Sequence, residues 1–388
     1  MIKGPAALII VLLAIETSVL FVSSRPRFEG WFKYIPSIFW MYFLPMLAST
    51  FGIIDGKSPV FTAISNTLLP MALFLLLVTV DVRAIMRVGS PALFMFFAGA
   101  AGIGAGVSVA FWAFKPLIGK EFWSGFGALA GSWTGGSANM IAVKEALGTP
   151  DNVFLPMVVV DTIVPYLWMG CLILAAGSQE RFDRFNHSDR RMLDDISRNI
   201  PSAAVADQKG VRFLSSLGII VLAIAGGLAA RSIAQFFPVF KGTVSTYAWT
   251  IILVSFAGVG LSLTPLKKIE FYGSTKIGYF ILYFVLASIG ARASMAQAGQ
   301  SMVLIGAGFV IVIIHVLFLL AAARLIRAPL FLVAVASQAN VGGVVSAPVV
   351  AEIYQKGFGS LGLLLAILGN IVGTYIGVAV GQVCRFLW

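Results

Sequence analysis

Charged and metal-ligating side chains are scarce in this chain. Only 11% of its 388 residues are Asp, Glu, Lys or Arg, against about 25% in an ordinary soluble domain. The two cysteines, Cys171 and Cys384, both lie in apolar segments, which excludes a disulfide framework and a cysteine metal cluster. The two histidines, His187 and His315, stand in no HExxH pattern, so a zinc site of the intramembrane-protease kind has no support. The net charge of +11 comes with no RNA- or DNA-binding motif. Its basic residues gather at the ends of apolar segments, as cytoplasmic Lys and Arg do, so no nucleic-acid partner is expected.

What is abundant is apolar surface. Hydrophobic residues make up 59% of the chain and the mean hydropathy is +0.96. The expectation is an all-α polytopic membrane protein with the lipid bilayer as its solvent, each crossing taking about 20 residues. Lys3, the apolar run through Leu20 and the small residues Ser23 and Ser24 resemble a signal peptide. An uncleaved first helix is the preferred reading, since a polytopic chain needs a first span. Glu16 inside that run is an oddity.

Candidate spans fall near 5–22, 33–51, 58–80, 91–115, 121–147, 153–176, 212–236, 246–264, 274–291, 301–325, 329–353 and 360–385. About 11–13 transmembrane helices are therefore expected. The hydrophilic stretch 178–210 mixes both charge signs and reads as a linker on a water-exposed face, separating a first repeat, 1–177, from a second, 211–388.

The halves resemble each other. "FLLLVTVDVRAIMRVG" (74–89) pairs with "FVLASIGARASMAQAG" (284–299), Arg83 over Arg292 and Met86 over Met295. "TGGSANMIAVKEA" (134–146) pairs with "VGGVVSAPVVAEI" (341–353), and "DTIVPY" (161–166) with "NIVGTY" (370–375). Internal repeats with matching interrupted segments point to a secondary transporter. The basic loops are 23–33 and 81–90 in the first half, 265–273 and 324–328 in the second. These are opposite loops of the repeat, as inverted topology requires. Corresponding spans nevertheless lie six apart in the series, an even separation that gives parallel repeats. One crossing is thus missing or spurious, and "RSIAQFFPVFKG" (231–242) is the candidate for a re-entrant piece.

Two segments carry the candidate site, "GSWTGGSANM" (131–140) and "ASQANVGGVVSAP" (336–348). Each sets a Gly–Gly step, Gly135–Gly136 or Gly342–Gly343, among small polar residues within apolar flanks. Each glycine costs a helix about 1 kcal/mol relative to Ala, so both helices are expected to unwind there. Unwinding bares N–H groups suited to anions and carbonyls suited to Na⁺ or a protonated group. Ser132, Thr134, Ser137, Asn139, Gln338, Asn340 and Ser346 would line that site. The competing reading is close helix packing of the GxxxG kind.

Asp161 stands near the middle of an apolar run, with Pro165 one turn later. A carboxylate at membrane depth is costly unless paired, hydrated or protonated, and such residues mark ion or proton pathways. It is the candidate Na⁺ ligand, and its counterpart Asn370 is neutral. His315 reads as a packing contact, Asp81 and Arg83 as interfacial, and Glu145 and Glu352 as solvated helix ends. An enzyme would need a nucleophile–base pair. Asp161 with Ser132 or Ser137 is the only one conceivable and neither histidine has an evident partner, so no enzyme and no cofactor beyond Na⁺ are expected. The polar residues cluster at one depth, which favours alternating access over a channel.

"LLPMALFLLLVTVDVRAIMRVG", "GSWTGGSANMIAVKEAL" and "ASQANVGGVVSAP" resemble the membrane proteins of the domain-of-unknown-function 819 family, over most of the chain. That family is similar, more distantly, to sodium–bile acid symporters and sodium–proton antiporters. The resemblance implies inverted repeats, interrupted crossing helices at 121–147 and 329–353, and a core domain of 91–176 with 301–385 beside a panel domain. Asp161 would take the place of the acidic residue of the antiporters. With Val160 and Thr162 as neighbours and Asn370 opposite, symport of Na⁺ or H⁺ with a small organic, anionic solute is favoured over cation–proton antiport. Transporters of this architecture are often homodimers. The absence of organelle signals favours a bacterial inner membrane.

Overall fold

A computed structural model describes residues 1–28, 37–189, 213–239, 245–293 and 301–388, with the single positions 32 and 192. Among the described residues all regular elements are helical, apart from an isolated bridge between Ile2 and Ile54. In lipid the backbone must satisfy its own hydrogen bonds, and long runs of Leu, Ile, Val, Ala and Phe do so as helices. Helices α1 (Pro5–Ser23) and α3 (Pro59–Val78) begin on proline, which has no N–H to leave unpaired in a first turn.

The chain divides into two compact units that interleave along the sequence. The first comprises Met1–Thr79, Gly148–Thr162 and Gln208–Ser301. It holds α1, α2 (Ser37–Thr50), α3, the start of α8 (Asp151–Ala175), α10 (Phe213–Ala234), α11 (Thr246–Ser262) and α12 (Ser274–Arg292). Here Ile2 N–H donates to Ile53 O at 2.8 Å and Asp55 N–H to Ile2 O at 3.0 Å, so α1 runs out and α2 returns. Helices α3 and α12 are antiparallel. Arg292 Nη1 donates to Thr62 Oγ1 at 3.2 Å, the Ser65 and Ser288 hydroxyls meet at 3.2 Å, and Thr79 meets Thr275 at 3.2 Å. Gly290 of α12 lies against the Tyr42 carbonyl of α2 with no room for a Cβ.

The second unit comprises Val80–Leu147, Ile163–Asp207 and Met302–Trp388. It holds α4 (Val82–Met86), α5 (Ser90–Phe114), α6 (Phe122–Gly135), α7 (Ser137–Leu147), the end of α8, α9 (Gln179–Asn186), α13 (Ser301–Ile326), α14 (Leu330–Val341), α15 (Gly343–Tyr354) and α16 (Gly359–Leu387). Helices α5 and α13 are antiparallel: a Cβ on Gly102 would come within 2.9 Å of the His315 Cα, and one on Gly106 within 2.8 Å of the Ile311 carbonyl oxygen.

The segment 121–147 differs from a helix that unwinds and continues. A Cβ on Gly127 would lie 2.7 Å from Leu147 Cδ1, and one on Gly131 2.8 Å from Val143 Cγ2. Residues 20 apart touch, so the chain reverses at Gly136, and α6 and α7 form an antiparallel hairpin. Segment 329–353 also turns back, since Gln338 Nε2 reaches across Gly342 to donate to Ser346 Oγ at 2.8 Å. These four helices have 14, 11, 12 and 12 residues, or roughly 17–21 Å at 1.5 Å per residue, short of the ~30 Å hydrocarbon core. Eight helices among the described residues are long and apolar enough to cross a membrane, nine with the bent pair Thr246–Ser262 and Pro265–Tyr272. The higher count expected from sequence arose mainly from treating the two hairpins as spans. The re-entrant candidate 231–242 is not a hairpin within its described part: α10 ends at Ala234 and a turn follows, and 240–242 lie outside the described residues.

Of the hydrophilic stretch, α9 docks on the turn between α13 and α14. Asp183 Oδ1 accepts from Leu330 N–H at 2.9 Å, and Asn186 Nδ2 donates to Ala328 O at 2.8 Å. Residues 190–210 of the stretch, apart from Met192, lie outside the described residues, as does Met295 of the repeat match.

Candidate functional site

The first hairpin owes its position to a ladder of glycines. On α6, Gly127, Gly131 and Gly135 recur every fourth residue and so share one face; on α16, Gly369, Gly373, Gly377 and Gly381 do the same. The two faces meet backbone to backbone. A Cβ on Gly373 would lie 2.6 Å from Gly135 Cα and 2.9 Å from Gly131 O, and one on Gly377 would lie 2.8 Å from Gly131 Cα. Small residues permit this approach, which drives helix association where lipid removes the hydrophobic incentive. Gly135 thus lies in close backbone contact with Gly369 and Gly373 of α16.

Gly136 has a different task. Its φ of +79° ends α6 and starts the return, a conformation that glycine adopts without steric cost. Asn139, buried at the start of α7, holds the turn closed. Its Nδ2 donates to Gly135 O at 2.5 Å and to Asn370 O at 3.3 Å, while its Oδ1 accepts from Thr374 Oγ1. Ser137 and Asn370 stand half-buried beside it. Thr134 is fully buried and donates to Ala130 O of its own helix at 2.7 Å, so it closes no site. Ser132 is buried in α6, and its carbonyl accepts from Gly136 N–H at 2.5 Å.

At the second tip Gly343 turns the chain with φ +68° and open space about its Cα. Gly342 sits where a Cβ would strike Gln338 Nε2 and Ser346 Oγ. Gln338 is 1% exposed, and its Oε1 has no hydrogen-bond partner. Asn340 points the other way: with its amide nitrogen toward them, it donates to Ala336 O and Phe96 O at 3.2 Å each. It ties α14 to α5 and lines no tip. Both α14 and α15 also touch α6.

The second unit thus gathers Gly136, Ser137, Asn139 and Asn370 at one tip and Gln338, Gly342, Gly343 and Ser346 at the other. Asp161 belongs to the first unit, half-buried on α8. Among the described residues no three His, Cys, Asp or Glu side chains converge, so the polarity of the tips comes from amides, hydroxyls and helix ends. Each tip carries the C-terminal end of one helix and the N-terminal end of the next, hence carbonyls suited to a cation beside N–H groups suited to an anion.

His315 has a partner that the sequence did not reveal. Its Nδ1 lies 2.8 Å from Gly99 O and its Nε2 2.9 Å from Ser337 Oγ, which also accepts from Trp168 Nε1 at 2.8 Å. A carbonyl only accepts and an indole N–H only donates. The imidazole therefore carries its proton on Nδ1, and the Ser337 hydroxyl donates to Nε2. This closed chain ties α5, α13, α14 and α8 together around the second hairpin. Thr374, Ser337 and Trp168 carried no motif; only the four-residue glycine period in 369–381 was legible in advance.

These features define a polytopic α-helical membrane protein. The chain matches the family described as "Protein of unknown function (DUF819)" over residues 9–387 and belongs to it. It is 25% identical over 349 residues, 87% of each chain, to "Uncharacterized membrane protein YjcL" of Bacillus subtilis (strain 168).

Proposed function

We propose that this protein is a secondary active transporter of a bacterial cytoplasmic membrane, moving a small organic, anionic solute coupled to Na⁺ or H⁺ by alternating access. The carrying observation is the pair of hairpins, each ending in a polar glycine turn, with the Gln338 Oε1 buried and unpartnered at one of them. A buried acceptor without a partner costs about 1–3 kcal/mol, and a bound ligand or ion that supplies one recovers it.

The hairpins also remove the parity conflict of the repeats. A hairpin that returns to its own side adds no crossing. With the other long helices each crossing once, α12 is then the fifth crossing after α3, and α13 the fifth after α5. Odd separations give opposite orientation, in keeping with the antiparallel pairs α3–α12 and α5–α13. With α2 as the returning span, the same count puts Arg25 and Arg27, Arg83 and Arg87, Lys267 and Lys268, and Arg324 and Arg327 on one side of the membrane, which the positive-inside rule makes cytoplasmic. The first hairpin then enters from outside and the second from inside. Inverted repeats of this kind, with distant kinship to the sodium-coupled symporters, suit alternating access.

Asp161 is the coupling residue in this reading, and a half-buried carboxylate also suits the alternative, cation–proton antiport. Enzymatic function is disfavoured because the Ser–His pair found among the described residues, Ser337–His315, is fully enclosed, with both residues 0% exposed. The test is the thermal stability of purified wild type and Asp161→Asn, titrated with Na⁺ at two pH values, followed by solute and proton flux in proteoliposomes. A Na⁺-dependent rise in Tm that the substitution abolishes supports a sodium-coupled carrier, since a ligand selective for the folded state stabilises it. A pH dependence that the substitution removes supports proton coupling. Indifference to both ions, with no flux, refutes the reading.

A further inference from the structure

Glu16 lies in the first unit and takes no part in the hairpin site. It is the twelfth residue of α1, about 17 Å along the helix from its start and about 11 Å from its end, hence deep in the hydrocarbon. Its side chain is 0% exposed, and neither carboxylate oxygen has a hydrogen-bond partner. Helix α1 packs on α2 and α12. From α12 the ionisable group that senses Glu16 is Tyr283, with Tyr279 one turn away and their rings 5.9 Å apart. Tyr42, the ionisable side chain of α2, stands instead beside Asp151 and Arg292. Arg25 and Arg27 lie beyond the end of α1, and Arg25 covers the Phe21 ring at 4.1 Å. Among the described residues of α2 and α12 the cations are Lys276 and Arg292, seven and nine residues from Tyr283 and near the two ends of α12.

A bare carboxylate in such a place is not sustained; it must hold a proton or a cation. A sodium ion would need several further oxygens around it. The adjacent Thr17 and Ser18 hydroxyls are committed to the carbonyls of their own helix, Leu13 at 2.7 Å and Ala14 at 2.6 Å. We propose that Glu16 is a proton-binding site in the first unit, distinct from the hairpin tips. A single proton is its ligand, and the assignment does not rest on the transport reading.

The test is infrared difference spectroscopy of the purified full chain between neutral and alkaline buffer, together with labelling by a hydrophobic carbodiimide, which attacks protonated carboxyls in apolar surroundings. The expected result is a protonated-carboxyl band at neutral pH that disappears in Glu16→Gln, and a carbodiimide adduct on Glu16 located by peptide mass spectrometry. Glu16→Gln is nearly isosteric with the protonated acid, so its Tm should match wild type. If that variant fails to fold, labelling of wild type decides. A missing band together with an unlabelled Glu16 overturns the proposal. Protection from the reagent by Na⁺ at constant pH also overturns it, by making the occupant a metal ion.

Discussion

Replacing Gly373 by Ala tests the architecture most directly. The new Cβ would sit 2.6 Å from Gly135 Cα and 2.9 Å from Gly135 N and Gly131 O, all backbone atoms that cannot rotate away. Ordinary van der Waals contact begins near 3.4 Å, so α16 must retreat from α6 by most of an ångström. Overpacking of this kind costs about 1–3 kcal/mol. It is opposed by the gain from exchanging Gly for Ala within a helix, up to about 1 kcal/mol. A matched control removes that opposing gain: Gly170, in α8 of the same unit, has nothing within 4 Å of its would-be Cβ. The difference between Gly373→Ala and Gly170→Ala is then the overpacking cost alone, about 1–3 kcal/mol. The retreat also pulls Thr374 from Asn139, which adds to the loss. The assay is thermal unfolding of both variants in one detergent. If Gly373→Ala melts at or above Gly170→Ala, the backbone contact between the glycine faces is wrong, and with it the support of the first hairpin.

Asn139→Ala should cost about 1–3 kcal/mol, because the buried Thr374 hydroxyl and the carbonyls of Gly135 and Asn370 lose their partner; a Tm unchanged from wild type would remove Asn139 from the turn. Ser337→Ala strands the His315 Nε2 and the Trp168 N–H, with a similar cost of about 1–3 kcal/mol and a shift in tryptophan emission, whereas Ser337→Thr should retain much of the stability. For orientation, single cysteines at Lys57, Lys120, Arg87 and Lys268 in a chain lacking Cys171 and Cys384 should divide two and two. Impermeant reagent should label positions 57 and 120 in intact cells, and 87 and 268 only after permeabilisation. Position 57 behaving like 268 would refute the re-entrant count.

The sequence by itself determined the class of protein and nearly every helix. Hydrophobic runs of the right length dictate spanning helices because lipid offers the backbone no other partner; the expected span 274–291 became α12, Ser274–Arg292. The glycine steps at 135–136 and 342–343 stood out because small polar residues surround them, whereas the pair Gly226–Gly227 lies among apolar residues and stays within unbroken α10, packed on Phe74 and Met71. Whether the chain unwinds and continues or reverses was a tertiary decision. At Gly136 it depends on a glycine face on α16 more than 230 residues away, and on Asn139 finding the Asn370 carbonyl there. Ser337 was hidden as the partner of His315 because a hydrogen bond across 22 residues of sequence leaves no spacing to read. Asn340 and Thr134, which polarity alone assigned to the site, were turned to packing for the same reason: composition tells that a polar group needs a partner, and only the fold supplies which one.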